Sequence, residues 1–333
     1  MNVMGIETSC DETAVSVVRD GHEIVVNEVF TQEVHKNFGG VVPEVASRNH
    51  VVKMFDVLEA ALQKSGLTLN DIDCFAATQG PGLIGALLIG LNTAKTLAYA
   101  LNKPLVPVNH IEAHLFANIL AHRNPQPPFL GLIVSGGHTT FLRVDDYHRY
   151  SLIGQTQDDA IGEAYDKVAK LIGLGYPGGP IIDKLAKEGN ERAVEFTLPQ
   201  LKSSPYDFSF SGLKTAVRMF HEKNPDINKA DLVASFQYMA VKTVTSRIER
   251  YFTEHEVLPL AVAGGVAANS RLRSACEELC MKYNTPCYIP PLKLCTDNAA
   301  MVASLGYFLF QKGCTVTGKE LLTLNAKASM PIF

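Results

Sequence analysis

Hydrophobic and polar positions change period repeatedly along the chain, and this pattern predicts an α/β protein. Residues 3–7 and 14–19 are apolar strand patterns on either side of a polar turn at 8–12, which predicts a β-hairpin. The same pattern returns at 129–134 and 139–144, around the short polar turn 135–138. One hairpin with a small polar turn opens each half of the chain, which indicates two duplicated lobes.

Strands and helices continue to alternate between and after the hairpins, as in α/β proteins. The loop at 173–180 contains four glycines and two prolines, and 195–212 has a less regular pattern. We expect one lobe to comprise 1–108 with about 300–333, and the other to comprise 109–299. The remaining predicted elements are strands at 73–78 and 260–263 and helices at 49–65, from 80–82 to 101, around 158–173, at 228–254, from 269 and at 297–312.

Composition narrows the class of protein. The 333 residues are 47% hydrophobic, which is enough for a large core in two lobes. The net charge of −4 excludes a basic nucleic-acid-binding domain of the usual kind, so a polyanion would need local patches or a partner's help. Seven cysteines without framework spacing, and an N-terminus that runs straight into a strand, predict a cytoplasmic protein without a membrane segment.

Two histidines lie four residues apart in the segment 109–114 (Asn-His-Ile-Glu-Ala-His). On a helix His110 and His114 share one face, so both imidazoles can reach one metal ion. The protease motif H-E-x-x-H needs its acid directly after the first histidine. That position is Ile111, and Glu112 points away from the histidine face, which excludes the protease on geometry. Taken alone, the pair fits either a metal site or two surface histidines.

Asp297 stands just before the last predicted helix. It is either a helix cap or first-turn acid, or the third ligand of a metal site. Two histidines and one carboxylate with open positions would suit zinc or ferrous iron.

Glycine-rich turns are the second set of candidates. Residues 135–138 (Ser-Gly-Gly-His) form either a simple hairpin turn or a backbone nest for an anion. Residues 264–269 repeat the theme and end on Asn269, whose amide could bind a nucleotide. The loop 175–180 lies between two acids, Asp166 and Asp183, that suit hydroxyl recognition or are solvated loop acids. Residues 80–85 match G-x-G-x-x-G but lack the acid of a dinucleotide site, so we expect helix packing there.

Together these segments resemble the TsaD family of tRNA N6-adenosine threonylcarbamoyltransferases, once labelled glycoprotein endopeptidases for their H-x-x-x-H motif. The matches run in order through nearly the whole chain, without departure at a functional position. The length and the absence of a fused kinase domain resemble the bacterial branch. The matching segments are 5–13 (GIETSCDET), 109–114 (NHIEAH), 134–139 (VSGGHT), 165–167 (YDK), 176–180 (YPGGP), 210–214 (FSGLK), 264–269 (GGVAAN) and 296–298 (TDN).

The resemblance implies an ASKHA (actin, sugar kinase, Hsp70-like) fold, with two ribonuclease-H-like lobes and a nucleotide cleft between them. It implies transfer of the threonylcarbamoyl group of L-threonylcarbamoyladenylate to N6 of the adenosine 3′ of the anticodon, position 37, in tRNAs that read ANN codons. AMP leaves. A separate synthase makes the adenylate, and the implied partners are a TsaB-like smaller fold relative and a TsaE-like ATPase.

The resemblance also implies roles for individual residues. His110, His114 and Asp297 would hold one divalent metal ion, Fe²⁺ or Zn²⁺. Asp11, in the first hairpin turn, is our candidate for accepting or positioning the N6 proton; its alternative role is an Asx-turn that stabilises the hairpin. The residues implied to bind the adenylate are Val134, Ser135, Gly136, Gly137, His138, Asp166, Gly179, Asp183 and Asn269.

Two other classes remain as alternatives. An ASKHA ATPase or small-molecule kinase would use a carboxylate base and a magnesium-bound triphosphate, whereas an imidazole pair suits zinc or iron better. A non-catalytic scaffold has no use for three metal ligands.

We expect weak tRNA binding by the chain alone, stronger binding with partners, and a steep loss with salt, because phosphate contacts dominate such affinities. Basic residues that could contact tRNA, or that are merely solvated on helix faces, are Lys202, Lys214, Arg218, Lys223, Arg247, Arg250, Arg271 and Arg273.

Overall fold

The computed structural model describes residues 1–123, 125–198, 201 and 203–332, which fall into two compact units. Unit 1 comprises Met1–Asn124 and Thr296–Phe333, and unit 2 comprises Pro125–Cys295. The units therefore do not divide at the expected residues 108 and 299. The helix that starts at His110 belongs to unit 1, because it packs against the last helix of the chain.

The described strands of unit 1 are β1 (Asn2–Glu7), β2 (Glu12–Arg19), β3 (Glu23–Thr31), β4 (Cys74–Gly80) and β5 (Leu105–Asn109). They form one sheet in the order β3-β2-β1-β4-β5. The first three strands pair antiparallel, and β1, β4 and β5 run parallel. Every residue of β4 is buried, as expected for a parallel strand covered on both faces.

Unit 2 repeats this topology. Its described strands are β6 (Phe129–Val134), β7 (Thr139–Asp146), β8 (Arg149–Gln155), β9 (Leu260–Ala263) and β10 (Cys287–Tyr288). They lie in the order β8-β7-β6-β9-β10, with β6, β7 and β8 antiparallel and β6, β9 and β10 parallel. The same strand order and directions in both units confirm the duplication that the two hairpins predicted.

The described residues form nine α-helices, and none of them is long and apolar enough to cross a membrane. They are α1 (Pro43–Ser65), α2 (Ile84–Ala100), α3 (His110–His122), α4 (Ile161–Leu171), α5 (Gly178–Ala186), α6 (Ser211–Lys223), α7 (Lys229–Glu254), α8 (Ser270–Lys282) and α9 (Ala299–Gln311).

Two glycines let α9 lie directly against the unit 1 sheet. A side chain at Gly5 would collide with the backbone of Ala299 and Ala303, and one at Gly306 would collide with Ala76. The neighbouring residues of β1, Met4 and Ile6, point to the other face, where they join the core formed with α1 and α2. This close approach of α9 to β1 brings Asp297, just before α9, into the ligand cluster described below.

Candidate functional site

Three predicted ligands meet in unit 1. His110 is the first residue of α3 and His114 lies one turn later, so both face the same side of the helix. Oδ1 of Asp297 lies 3.2 Å from Nε2 of His114 and 3.7 Å from Nε2 of His110. One ligand atom from each residue lies within 4.8 Å of the others. Atoms bound tetrahedrally at about 2.1 Å from zinc are about 3.4 Å apart, so this spacing fits a metal ion.

The surroundings of His114 favour a metal ligand over a structural histidine. The side chain is 1% exposed, and neither ring nitrogen makes a hydrogen bond in the part of the chain that the structure describes. Nε2 nevertheless lies within ion-pair distance of Asp297. Buried polar atoms are normally hydrogen-bonded, so an unsatisfied nitrogen beside a carboxylate fits a position for a cation.

The N-cap of α9 excludes one of the alternatives for Asp297, that it caps this helix. Asn298 is the N-cap, and its Oδ1 accepts a hydrogen bond from the Met301 amide at 3.1 Å. The carboxylate of Asp297 is therefore not the cap of this helix.

Glu7 is a functional candidate that the sequence did not reveal. Its Oε2 lies 3.1 Å from Nδ1 of His110 and accepts a hydrogen bond from the Thr78 hydroxyl at 2.6 Å. If Nδ1–H donates to Glu7, Nε2 of His110 is left free to bind a metal. A fully buried acid at the end of a central strand must be paired, and that was the available signal.

Charge in this cluster favours a cation. Burial alone would lower the pKa of His110, but the carboxylates of Asp297 and Glu7 raise it to about 9. Burial pushes the pKa of Glu7 upward, yet its charge interaction and hydrogen bond with His110 hold that pKa below its ordinary value. The cluster therefore stabilises positive charge at His110, and a bound divalent ion would supply positive charge there.

Asp11 lies in the turn between β1 and β2, half-buried, together with Ser9. The Ser9 hydroxyl is 3.2 Å from Nδ1 of His110, so the turn adjoins the ligand cluster. The next residue, Glu12, was also missed. Burial, with the charges of Asp297 and Asp11, raises the pKa of Glu12 well above its ordinary value.

The glycines at 80–85 serve packing, as expected. A side chain at Gly80 would collide with the backbone of Lys327, one at Gly82 with Ser9, and one at Gly85 with the Ser47 hydroxyl. They leave no room for a ligand.

In unit 2 the glycines after Val134, the last residue of β6, are not packed against other protein atoms as those at 80–85 are. The Ser135 amide donates to the His138 carbonyl, and the His138 amide donates to the Ser135 hydroxyl at 3.1 Å, which closes the turn. Gly136 and Gly137 are exposed, have no positive φ, and would meet no protein atom within 4 Å if they carried a Cβ. Neither packing nor conformation requires glycine here, so open space for a ligand against the backbone is the remaining reason.

Gly264 and Gly265 follow β9, the parallel neighbour of β6. Gly264 has φ +93° and lies against the Val134 backbone, so it is structural. A Cβ on Gly265 would meet nothing within 4 Å. Both glycine turns thus lie at the carboxyl ends of adjacent parallel strands, where α/β proteins bind ligands.

The two predicted acids of the adenylate site, Asp166 and Asp183, each accept hydrogen bonds from a neighbouring segment. Asp166 accepts from the Gly178 amide at 2.7 Å, and burial raises its pKa. Gly179 has open space around its Cα. Asp183 accepts from the Ser270 amide and hydroxyl, at 3.2 and 2.8 Å. These contacts bring α5 against the residues that follow 264–265.

Asn269 is used mainly within the protein. Its Oδ1 caps α8 by accepting from the Leu272 amide at 2.9 Å, and its Nδ2 donates to Gln237 at 2.8 Å. The side chain also hydrogen-bonds the Tyr165 hydroxyl, so its expected role in binding a nucleotide is narrower than the sequence suggested.

Several basic residues that could contact tRNA are committed to internal pairs. Lys214 lies 2.6 Å from Asp159, Arg271 lies 3.2 Å from Glu191, and Arg273 donates to two backbone carbonyls. Lys202 lies outside the described residues.

Comparison with solved structures defines the fold class. The activator of the 2-hydroxyisocaproyl-CoA dehydratase from Clostridium difficile, with bound ADPNP, matches with a TM-score of 0.53 at 17% identity, over 94% of this chain and 97% of that chain. Full-length HypF, in the phosphate- and nucleotide-bound form, matches with a TM-score of 0.61 at 13% identity, over 93% of this chain and 46% of that one. The duplicated topology and these likenesses define a two-lobed ASKHA protein, which confirms the predicted fold class.

Sequence comparison identifies the family. The model of TsaD, tRNA N6-adenosine threonylcarbamoyltransferase, matches residues 23–304. A protein of that name from Clostridium perfringens is 49% identical over 98% of this chain and 97% of its own length. Another, from Clostridioides difficile, is 49% identical over 99% and 98%. A third, from Caldicellulosiruptor saccharolyticus, is 47% identical over 95% of both. The chain belongs to the TsaD family of transferases, as the motifs predicted.

Proposed function

We propose that this chain transfers the threonylcarbamoyl group of L-threonylcarbamoyladenylate to N6 of adenosine 37 in tRNAs that read ANN codons. In this reaction the carbamoyl carbon forms a bond to N6, its bond to the phosphate oxygen breaks, the N6 proton goes to a base, and AMP leaves. The observation that carries the proposal is the identity of 49% with proteins named for this activity, over nearly the full length of both chains.

The proposed metal site is His110, His114 and Asp297, with Fe²⁺ or Zn²⁺ as the ion. Two imidazoles and one carboxylate suit these ions better than magnesium, which prefers oxygen ligands. When bound, the ion supplies a Lewis acid for oxygen atoms that become negative during transfer. Glu7 would fix the orientation of His110, since Glu7 is itself held by Thr78.

The proposed adenylate site is in unit 2, at the turn 134–138 with Asp166, Gly179, Asp183 and Asn269. The amides of Gly136 and Gly137 make no hydrogen bond among the described residues, so they remain available to phosphate or carbamoyl oxygens. Donors fixed in this way need no reorganisation as charge develops, and one such donor is typically worth about 3 kcal/mol. The leaving phosphate is stable, so it needs little acid help.

Asp11 remains our candidate for the base that accepts the N6 proton. Its support is position: it shares a turn with Ser9, whose hydroxyl lies 3.2 Å from His110. The backbone of that turn is held separately, because the Asp11 carbonyl accepts from the Gln32 amide at 3.1 Å. That bond does not use the Asp11 side chain, whose carboxylate is hydrogen-bonded with the side chains of Cys10 and Glu12.

The proposed partners are a TsaB-like smaller relative, a TsaE-like ATPase and a separate synthase, in the cytoplasm where tRNA is modified. An exposed apolar face supports a protein partner. Val51, Val52 and Phe55 of α1 are 57%, 65% and 72% exposed, on a helix that is otherwise amphipathic. Adjacent exposed apolar side chains on one helix are typical of a docking surface, and we assign this one to the TsaB-like protein.

Reconstitution tests the proposed function. The chain is combined with both partners, synthase, threonine, bicarbonate, ATP and an unmodified tRNA transcript, and the digested nucleosides are measured by mass spectrometry. We expect N6-threonylcarbamoyladenosine, and none from a transcript with guanosine at position 37. Absence of the product when the adenylate is supplied directly would refute the proposal.

A further inference from the structure

Two motifs of the family resemblance end on a lysine that has no role in the chemistry above. Lys167 closes the motif 165–167 on α4, and Lys214 closes the motif 210–214 on α6. Their ammonium groups bind the two oxygens of one carboxylate, that of Asp159, at 2.7 and 2.6 Å. Asp159 is 14% exposed, so the two motifs are joined through one largely buried carboxylate.

Lys167 and Lys214 form part of the wall of a cavity of about 530 Å³ between α4 and α6. Four of the lining residues are cationic, which is unusual for a chain whose net charge is −4. The lining residues are Lys167, Lys170, Leu171, Lys214, Thr215 and Arg218.

Two of these cations are available to a ligand. Lys170 has no ion pair among the described residues. Arg218 is paired only with Glu222, at 3.8 Å, with both side chains more than half exposed, and such a pair contributes little. Lys167 and Lys214 are already neutralised in part by Asp159 and Glu163, so they fix the walls rather than offer free charge.

Helix α4, which lines the cavity, also contacts the proposed adenylate turn 135–138. The first turn of α4 contacts that turn, because the Gly162 amide donates to the Ser135 carbonyl at 3.2 Å. Lys170 is eight residues further along α4, which is about 12 Å at 1.5 Å per residue. A polyanion in the cavity would therefore lie within a short distance of the adenylate.

We propose that the cavity between α4 and α6 binds the phosphate backbone of the tRNA substrate, through Lys170 and Arg218. The inference rests on the proposed function, which supplies an RNA substrate. The free cations stand on exposed helix faces, as backbone contacts do, whereas a small phosphorylated ligand would need buried donors that converge on it. The Lys167–Asp159–Lys214 triad holds the two helices at the separation that the backbone occupies.

The salt dependence of tRNA binding tests this proposal. Lys170→Ala, Arg218→Ala and the double variant are compared with the wild-type full chain, with the partner proteins present in every sample. An unmodified tRNA transcript is the probe. Each lost phosphate contact should lower the slope of log affinity against log salt by about 0.7–0.9. The double variant should bind about tenfold or more weakly at low salt and lose a slope of about 1.5.

Arg19→Ala is the matched control. Arg19 is 42% exposed and pairs with a glutamate four residues later, as Arg218 does at 54% exposed, and both substitutions change the net charge equally. We expect wild-type affinity and slope from Arg19→Ala. An equal loss in this control, or unchanged binding by the double variant, would overturn the proposal.

The nucleoside assay separates this inference from the proposed function. With saturating tRNA the double variant should form modified adenosine at nearly the wild-type rate, while its KM for tRNA rises about tenfold. If the wild type makes no modified adenosine, the proposed function fails, and the salt slopes still decide the binding surface.

Discussion

The corresponding edges of the two units carry different chemistry on one framework. In each unit the central parallel strands end at the same edge of a sheet with the same strand order. In unit 1 that edge carries Glu7 as the last residue of β1 and His110 directly after β5. In unit 2 it carries the turn 135–138 after β6 and Gly264 after β9. The duplicated topology thus fixes where a site is built, and the residues after each strand decide what it can bind.

The two edges also differ in which groups are offered to a ligand. Unit 1 offers buried side chains that are held by other side chains, as Glu7 holds His110 at 3.1 Å. Unit 2 offers exposed backbone at Gly136 and Gly137, with open space around both. A buried imidazole–carboxylate cluster suits a cation, and bare amides suit an anion. A substitution in one unit should therefore abolish binding of one ligand without affecting binding of the other.

The largest expected effect comes from removing a ligand in unit 1. His110→Ala should strip the bound metal and lower the rate of transfer by about 10³-fold, because stabilisation of developing negative charge is lost. Metal content by mass spectrometry and the nucleoside assay measure both effects. His122→Ala, at the other end of α3, is the control and should keep both. Stoichiometric metal in His110→Ala would remove this residue from the ligand set.

Blocking the turn in unit 2 should give the converse result. Gly137→Val places a branched side chain where an anion would approach the backbone, so the affinity for the adenylate or a stable analogue should fall about 100-fold while metal content stays constant. Calorimetry measures the affinity. Gly212→Val is the control, because Gly212 is also open to solvent and has no positive φ. Unaltered affinity in Gly137→Val would make the turn merely structural.

Glu7→Gln should separate positioning from ligation in unit 1. The amide keeps the volume but not the charge that holds Nδ1 of His110, so metal affinity should fall by about 10- to 100-fold without losing the fold. Competition with a chelator measures the affinity. The companion variant Thr78→Val, which removes only the hydroxyl bound to Glu7, should have a smaller effect of the same sign. Wild-type metal affinity in Glu7→Gln would mean that His110 needs no partner.

The smallest effect concerns the turn that carries Asp11. His50 of α1 is buried, and its ring nitrogens lie 2.8 Å from the Thr13 hydroxyl and 3.0 Å from the Cys10 carbonyl. Burial lowers the pKa of His50 below its ordinary value of 6.5. As the pH falls through 6.5 the unfolded chain binds this proton first, so wild-type stability declines.

His50→Gln should lower the free energy of unfolding by about 1–2 kcal/mol at pH 7 and flatten this decline below pH 6.5. Denaturant unfolding at several pH values measures both. A variant with an unchanged pH dependence would show that His50 is not the titrating group.

The sequence predicted those parts of the fold that follow from buried periodicity. Three elements with long apolar patterns were placed within a few residues of their observed bounds: the strands β1 and β6 and the helix α7. β3 and β8 were missed, because they are sheet-edge strands with mixed exposure. α5 was taken for a loop: Gly178, Gly179 and Pro180 form its first turn, where proline costs no hydrogen bond.

The sequence predicted site residues that lie close together in the chain, but not contacts between residues that are far apart in the chain. His110 and His114 lie one helical turn apart, so the pair could be inferred from sequence. Asp297 was one of two alternatives from its position alone, and only the family resemblance assigned it to the metal. Glu7 was missed because its contact with His110 joins residues 103 positions apart. Lys214 was considered either as a possible RNA contact or as a solvated side chain, but its carboxylate partner, Asp159, is visible only in the folded chain.

Anomalous diffraction tests the central claim, that the edge of unit 1 holds a divalent metal. Crystals of the wild-type protein are measured on both sides of the iron and zinc absorption edges. We predict one peak at full occupancy, about 2.0–2.2 Å from Nε2 of His110, Nε2 of His114 and a carboxylate oxygen of Asp297. A peak bound by other residues, or no peak at these three in protein purified without chelators, would contradict the account.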